Sequence, residues 1–309
     1  AELLLRVIVQ VFLGDDLDPS ELAEIQQLFH RVAFEVGVRS ILVRYYLPGA
    51  NAWPTPRNLQ YRADLQRLKF LLFRVVERRR KGATPDRFDF LGLLLTQSTE
   101  GHFSDDKIYD HLLTLFFAGH ETSSQVLAWA LYLLGERPDL VEELRAETLA
   151  VVGTGSPGTR DPFRLPVLGR VLKEVMRLYP PVWRMARECM SDDVMNGYDV
   201  PKGTVIFLSA FSVQRHPKHW ERPDAFYPDH FLPEAVRTRH PHAYIPFSAG
   251  PRLCLGNTFA RIEISIILMM ILQRYRLKPG WNAPIAMDPL ITLNPRGGVP
   301  LSLERIPSA

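Results

Sequence analysis

The run from Ser104 to Gly135 constrains the fold more than any other stretch of the 309 residues. Ser104-Asp105-Asp106 supplies an N-cap and first-turn acids, and Gly135 with Pro138 supplies the stop. About 30 residues lie between them, about 45 Å of helix at 1.5 Å per residue. The centre of this helix is unusual. Apolar Leu112 to Ala118 gives way to Gly119-His120-Glu121-Thr122-Ser123-Ser124, and apolar character returns at Val126, Leu127 and Trp129. A polar cluster in a buried helix costs free energy unless it is partnered. Gly119 weakens the helix and Thr122 can bond back to a carbonyl one turn earlier, so a local opening is expected here. A helix that exposes one polar turn accounts for the same pattern. The sequence is His-Glu-Thr-Ser-Ser, not His-Glu-x-x-His, so a zinc-protease reading fails at its second ligand.

Helical patterning also covers Leu3 to Leu13, Pro19 to Val36, Asn58 to Arg80, Pro138 to Val152, Pro166 to Tyr179 and Asn257 to Tyr275. A loop rich in proline and aromatics, Tyr46 to Pro56, separates two of these helices. Strand signals are short and late, at Asp192 to Val200, Thr204 to Leu208 and Ile285 to Leu303. The predicted class is mainly α with small β-sheets. Proline-rich Pro217 to Pro251 has little periodicity and reads as a long ordered meander. A 46% hydrophobic, 23% charged composition supports a large core.

Several function classes are disfavoured. A net charge of +3 is too small to argue for nucleic acid. The basic run Arg74 to Lys81 reads as a solvated helix end that complements the helix dipole. No apolar stretch of membrane-spanning length is free of charge, and no secretory signal is seen, so a cytoplasmic location is expected. The two cysteines imply no disulfide framework. Neither a Gly-x-Gly-x-x-Gly loop nor a cysteine cluster is present, so no flavin or iron–sulfur module is expected on this chain. His216, His219, His240 and His242, with His230 between the pairs, lack acidic or cysteine partners at ligand spacing and read as loop-packing residues.

The chemistry-bearing stretch is Phe247-Ser-Ala-Gly-Pro-Arg-Leu-Cys-Leu-Gly256. It sets Cys254 between two glycines, just before a helix with Ala260, Ile264, Ile267, Leu268 and Ile271 on one face. A thiolate is the reactive and metal-binding form of cysteine, and an electropositive helix N-terminus favours it. Gly250 and Gly256 let the backbone approach a flat ligand closely and leave amides free for the sulfur. One thiolate in such a loop suits an axial ligand to haem iron. A lone cysteine is otherwise commonly an inert buried residue, and loop chemistry leaves both readings open.

Phe247-x-x-Gly250-x-Arg252-x-Cys254-x-Gly256 resembles the cysteine-ligand loop of the cytochrome P-450 family. Three further segments resemble family motifs in the expected order. Ala118-Gly119-His120-Glu121-Thr122-Ser123 is similar to the oxygen-activation site, where an acid–threonine pair relays protons. Glu174-Val-Met-Arg177 looks like the buried structural Glu-x-x-Arg pair. Taken alone, it would be a solvated surface pair worth a few tenths of a kcal/mol. Phe226-Tyr-Pro-Asp-His-Phe231 resembles the Pro-Glu-Arg-Phe segment, with His230 where arginine is common; this substitution is expected to soften the site near pH 6 to 7.

The resemblance implies a cytochrome P-450 fold over 1–309 as one haem domain. It matches the later part of the family pattern, so the earlier helices and main-sheet strands are expected to be absent. The implied activity is a haem-thiolate monooxygenase using dioxygen and haem b (iron protoporphyrin IX) to oxidise an apolar small molecule such as a fatty acid, terpenoid or polyketide. Cys254 would be the iron ligand, and Glu121 and Thr122 the catalytic proton relay. Ala118, Gly119, Arg187, Pro246, Phe247, Ser248, Arg252, Gly256 and Ala260 would contact haem, with Arg252 and Arg187 on its propionates. Leu113, Phe117, Ala118, Val182, Trp183, Met185, Ile291 and Thr292 would line a mostly apolar pocket. Electrons would come from a separate ferredoxin, flavodoxin or reductase, steered by Arg237, Arg239 and Arg261 near the cysteine loop. Two alternatives stand beside this reading. One is a haem-thiolate isomerase or peroxide-using enzyme, which the acid–threonine pair disfavours. The other is a non-catalytic haem-binding fragment.

Overall fold

The computed structural model describes residues 2–14, 17–45, 49–82, 89–99 and 104–307. Its helices are α1 Glu2–Leu13, α2 Pro19–Tyr45, α3 Pro56–Lys81, α4 Phe90–Thr99, α5 Asp105–Gly135, α6 Pro138–Val152, α7 Pro166–Leu178, the short α8 Ala210–Val213 and α9 Pro233–Thr238, and α10 Asn257–Arg274. The strands are β1 Met185–Glu188, β2 Asp193–Met195, β3 Tyr198–Val200, β4 Val205–Leu208, β5 Tyr275–Pro279, β6 Met287–Pro289, β7 Leu293–Pro295 and β8 Leu301–Arg305. They pair antiparallel as β1–β4, β2–β3, β5–β8 and β6–β7. The mainly helical class with small sheets is as expected. No helix among the described residues is long and apolar enough to cross a membrane.

Local chemistry explains the boundaries. Thr55 accepts the Asn58 N–H at 3.2 Å to cap α3, Pro56 occupies its first turn, and Arg78 to Lys81 sit at its negative end. α2 was expected to stop at Val36 but continues to Tyr45. Gly37 is the one breaker there, and a single helical glycine costs only about 1 kcal/mol. α4 was not anticipated, and residues 46–48 of the expected Tyr46–Pro56 loop lie outside the described residues. Asp192 to Val200 is a hairpin rather than one strand. Asn196 and Gly197 adopt φ of 52° and 85°, the left-handed pair that a tight two-residue turn demands.

α5 runs unbroken for 31 residues, so the expected opening at its polar centre does not occur. Thr122 Oγ1 donates to the Ala118 carbonyl at 2.6 Å and Ser124 Oγ to that of His120 at 2.8 Å. Both hydroxyls are thus satisfied without interrupting the helix. Gly119 serves packing: a Cβ there would lie 2.7 Å from Ile8 Cδ1 of α1.

The chain divides into two compact units, residues 1–124 and 125–309, each described by itself. In the first, Leu4, Ile8, Phe29, Leu72, Val76 and Phe116 are buried. α2 and α3 are cross-linked by Arg31–Asp64 at 2.8 Å, Arg67–Glu24 at 2.6 Å and Arg78–Glu21 at 2.7 Å. In the second, Trp129, Leu134, Leu144, Val171, Val175, Leu268 and Leu272 form the core between α5, α6, α7 and α10. Arg145 donates to the carbonyls of Leu272 and Tyr275, meeting acceptors at the end of α10 that would otherwise be unpaired. Trp129 Nε1 donates to the Leu293 carbonyl at 2.9 Å, and the indole stacks on Tyr179 with centroids 3.9 Å apart.

Candidate functional site

The cysteine loop is shaped by its backbone. Ser248 and Gly250 take φ of 65° and 64°. The Cys254 N–H then donates to the Phe247 carbonyl at 2.9 Å and the Leu253 N–H to that of Gly250 at 3.0 Å. Asn257 Nδ2 donates to the Cys254 carbonyl at 2.8 Å, pinning the loop to the first turn of α10. The amides of Leu255 and Gly256 find no backbone acceptor. Cys254 is a free, exposed thiol. A Cβ on Gly250 would meet nothing within 4 Å, and one on Gly256 would lie 4.0 Å from Cys254 Sγ. Leu255 is 86% exposed and Leu253 55%.

Arg187 on β1 reaches this loop, with Nη2 3.5 Å from Ser248 Oγ and Nη1 donating to the Ala186 carbonyl. Arg252 is exposed, and among the described residues neither arginine is ion-paired. Phe247 packs on the core of the second unit, while Pro246 and Ala260 are half-buried. The loop therefore offers a thiol, an open backbone face, two exposed leucines and two cations without acids. That donor set fits a flat, largely apolar cofactor carrying a thiolate-seeking metal and carboxylates, which are the properties of haem.

Behind the loop lies a buried polar cluster. Arg177 and Glu174 have fully buried side chains and pair bidentately at 2.8 and 2.7 Å. Arg177 also donates to the carbonyls of Gln214, Pro223 and Ala225. His230 Nδ1 lies 3.1 Å from Glu174 Oε1, and the Tyr227 N–H donates to the same oxygen at 2.9 Å. Burial opposes the charge on Glu174, but Arg177, His230 and the Tyr227 amide outweigh it and hold its pKa below the ordinary carboxylate value. The expected trio of Glu174, Arg177 and His230 is thus assembled within the second unit.

Gln214 was missed. It is fully buried, donates to the Met176 and Arg177 carbonyls and accepts the Ile245 N–H at 2.9 Å, tying the end of α7 to the segment entering the cysteine loop. A lone glutamine in a short aperiodic segment gives no sequence signal. Arg239 is placed differently from expectation. Its guanidinium lies 3.8 Å over Trp220 and donates to the His230 carbonyl, so it is engaged internally, not free to steer a partner. The four other histidines form a row with centroids 5.6 to 6.2 Å apart. His216 and His240 accept backbone N–H groups through Nδ1, and no metal-holding group occurs among the described residues.

Two expected pocket segments of the second unit meet. The Leu293 N–H donates to the Pro181 carbonyl at 3.0 Å, and Trp183 Nε1 to that of Leu290 at 3.1 Å. Val182 and Ile291 remain 39% and 40% exposed, Met185 is half-buried and Thr292 is buried. In the first unit, Leu113 is buried, Phe117 packs on Phe29 with centroids 4.3 Å apart, Ala118 is exposed, and Glu121 and Thr122 are half-buried.

Comparison with known proteins agrees with this geometry. A family model described as Cytochrome P450 matches residues 1–300. Cyclooctatin synthase of Streptomyces melanosporofaciens is 31% identical over 93% of the chain and 63% of its own length. Leukotriene-B4 omega-hydroxylase 3 of Mus musculus is 36% identical over 70% of the chain and 42% of its own length. The crystal structure of the cytochrome P450DA heme domain superposes with a TM-score of 0.86 at 30% identity, covering 98% of the chain and 66% of that structure. The chain thus spans about two fifths to two thirds of the proteins it matches.

Proposed function

Since the chain belongs to the cytochrome P-450 family, we propose that it is the later part of a single haem domain whose whole protein is a monooxygenase, with Cys254 as axial ligand to haem b. The observation that carries the reading is the free, exposed Cys254 in a loop closed by its own N–H on Phe247 and flanked by unpaired Arg252 and Arg187. When bound, haem would supply the oxidising chemistry, in which dioxygen, two electrons and two protons convert an unactivated C–H bond to C–OH with the second oxygen leaving as water.

The chain's own residues orient and protonate. Arg252 and Arg187 would hold the propionates, and Leu253 and Leu255 would cover apolar porphyrin. Thr122 spends its hydrogen on the Ala118 carbonyl, so its oxygen lone pairs are left to hold a water; Glu121, next in sequence, passes the proton onward. Segments 181–183 and 290–293 contribute an apolar wall for a fatty-acid-, terpenoid- or polyketide-like substrate. The names of the two relatives above, one acting on leukotriene B4, support an apolar substrate. Electrons come from a separate ferredoxin, flavodoxin or reductase.

The test is the absorption spectrum of the haem-loaded, dithionite-reduced protein under carbon monoxide. The expected result is the red-shifted band of thiolate ligation, lost in Cys254→His. A parent and a Cys254→His variant with identical bands would remove Cys254 from the iron.

A further inference from the structure

A small motif occurs twice in the second unit, as His216-Pro217-Lys218 and His240-Pro241-His242, and both copies fold alike. Proline has no N–H, so the first donor after each histidine stands two residues on. His216 Nδ1 accepts the Lys218 N–H at 3.1 Å, and His240 Nδ1 accepts the His242 N–H at 3.2 Å. His240 thereby caps the 3-10 turn Pro241–Ala243. An imidazole accepts at Nδ1 only while that nitrogen carries no proton, so both rings are neutral with hydrogen on Nε2. A metal on Nε2 would push that hydrogen to Nδ1, against the backbone N–H, which makes these rings poor ligands.

The two turns are tied to each other. The rings of His216, His219, His240 and His242 follow in a row with centroids 5.6, 6.2 and 5.6 Å apart. Beyond the row, Gln214 Oε1 accepts the Ile245 N–H at 2.9 Å, and Trp220 meets Tyr244 edge-on at 6.3 Å. Two residues after Ile245 comes Phe247, whose carbonyl holds the Cys254 N–H. The row therefore stands at the entrance to the cysteine loop.

No acid answers the row. Among the described residues none of its four histidines is ion-paired. The carboxylates of the first segment are engaged elsewhere, Asp224 with Arg215 at 3.5 Å and Glu221 with Arg222 at 3.8 Å. Cations are near: Lys218 lies within the first turn, and Arg239, flat on Trp220, directly precedes His240. On α9, Arg237 lies in the last turn, towards His240, and Glu234 in the first. For His219, loss of water contact and then the charges of His216, Lys218 and His240 push the pKa below the ordinary 6.5. Its share of stability is thus complete above 6.5 and declines as pH falls below it. Protonating the rest of the row acts in the same direction. It turns two Nδ1 acceptors into donors that face N–H groups, and it sets like charges 5.6 to 6.2 Å apart.

We propose that the histidine row is a proton-operated latch on residues 240–247. Neutral, it holds both turns closed. In acid, His216 and His240 gain protons at Nδ1, the two turns open together, and the segment entering the cysteine loop loosens while the helical core stays folded. The latch is separate from the Glu174–His230 pair, which lies behind the loop. Its consequence for the iron rests on the function proposed above; the opening of the turns does not.

The experiment follows backbone hydrogen exchange of the haem-loaded protein at about pH 7.5 and about pH 5.5, expressed as protection factors so that the intrinsic pH dependence of exchange cancels. Peptides spanning 214–220 and 240–247 are expected to lose protection about ten-fold in acid, with α7 and α10 unchanged. Asparagine keeps an oxygen acceptor for the same N–H and does not titrate. The double variant His216→Asn, His240→Asn is therefore expected to hold its protection within about two-fold across the same range. A ten-fold loss that persists in the double variant, or no loss in the parent, would overturn the latch. Long-range nitrogen–proton spectra of the parent give a check that needs no variant: a hydrogen on Nδ1 of His216 or His240 in the neutral protein would also overturn it. Absence of the thiolate carbon monoxide band at neutral pH would signal failure of the haem reading, whereas an intact band with pH-independent protection would signal failure of the latch alone.

Discussion

His230 presents both ring nitrogens to oxygen acceptors: Nδ1 is 3.1 Å from Glu174 Oε1, and Nε2 faces the Glu221 carbonyl. A carbonyl only accepts, so Nε2 carries a hydrogen. An ionised carboxylate also only accepts, so each ring nitrogen faces an acceptor. The ring is expected to show a slowly exchanging imidazole N–H resonance, and its absence would contradict this arrangement. His230→Leu strips donors from two buried acceptors and is expected to cost about 2–4 kcal/mol in denaturant unfolding, whereas His230→Arg, which keeps donors, costs less.

Glu174 sets the acid limb of stability. Its pKa is depressed in the folded state, so its contribution is complete above its ordinary value of 4.5 and is lost as pH falls through the depressed value. Unfolding between pH 3 and 8 should show parental stability falling below about pH 4.5. Glu174→Gln should flatten that limb and lose about 3–5 kcal/mol at pH 7, because Arg177 is left buried without its counter-charge. Parallel pH curves for the two proteins would disprove the assignment.

Gly119 tests the packing of α1 on α5. Glycine to alanine within a helix ordinarily gains about 1 kcal/mol. Here Gly119→Ala is expected to lose about 1–2 kcal/mol, because the new methyl meets Ile8 Cδ1. Adding Ile8→Val removes that atom and should recover most of the loss, a coupling that a double-mutant cycle measures. Additive effects would place the cost elsewhere.

Thr122→Ala removes the hydroxyl held by the Ala118 carbonyl while leaving the helix intact. The haem-loaded variant is expected to bind haem and substrate as the parent does, but to divert electrons to peroxide and lower product yield per electron several-fold. Unchanged yield would leave Thr122 as a helix-internal hydroxyl alone.

The helices were legible where their ends carry chemistry. Pro138 to Val152 was placed to the residue, with proline at its start and Gly153 at its stop. The sequence pattern failed where ends are silent, as at α2 beyond Val36, or where a turn sits inside a β-rich run, as at Asn196-Gly197. The site divides in the same way. Cys254, Glu174, Arg177 and His230 stand in recognisable spacings, and the last three do meet. Gln214 depends on segments brought together across 31 to 38 residues of chain, which no local pattern encodes. Arg239 failed for the opposite reason: a basic residue between polar neighbours reads as surface, and only packing shows it lying flat on Trp220.

The hydrogen bond from Trp129 to Leu293 joins groups 164 residues apart. At about 5–20 residues per second, the ribosome needs roughly 10–30 s to deliver the carbonyl after the indole has been made. Throughout that interval the later half of α5 carries an indole N–H without its folded-state acceptor. A nascent chain stalled or cut before the β7 segment would therefore present this helix to chaperones and proteases, and delivery of that segment decides whether the second core closes.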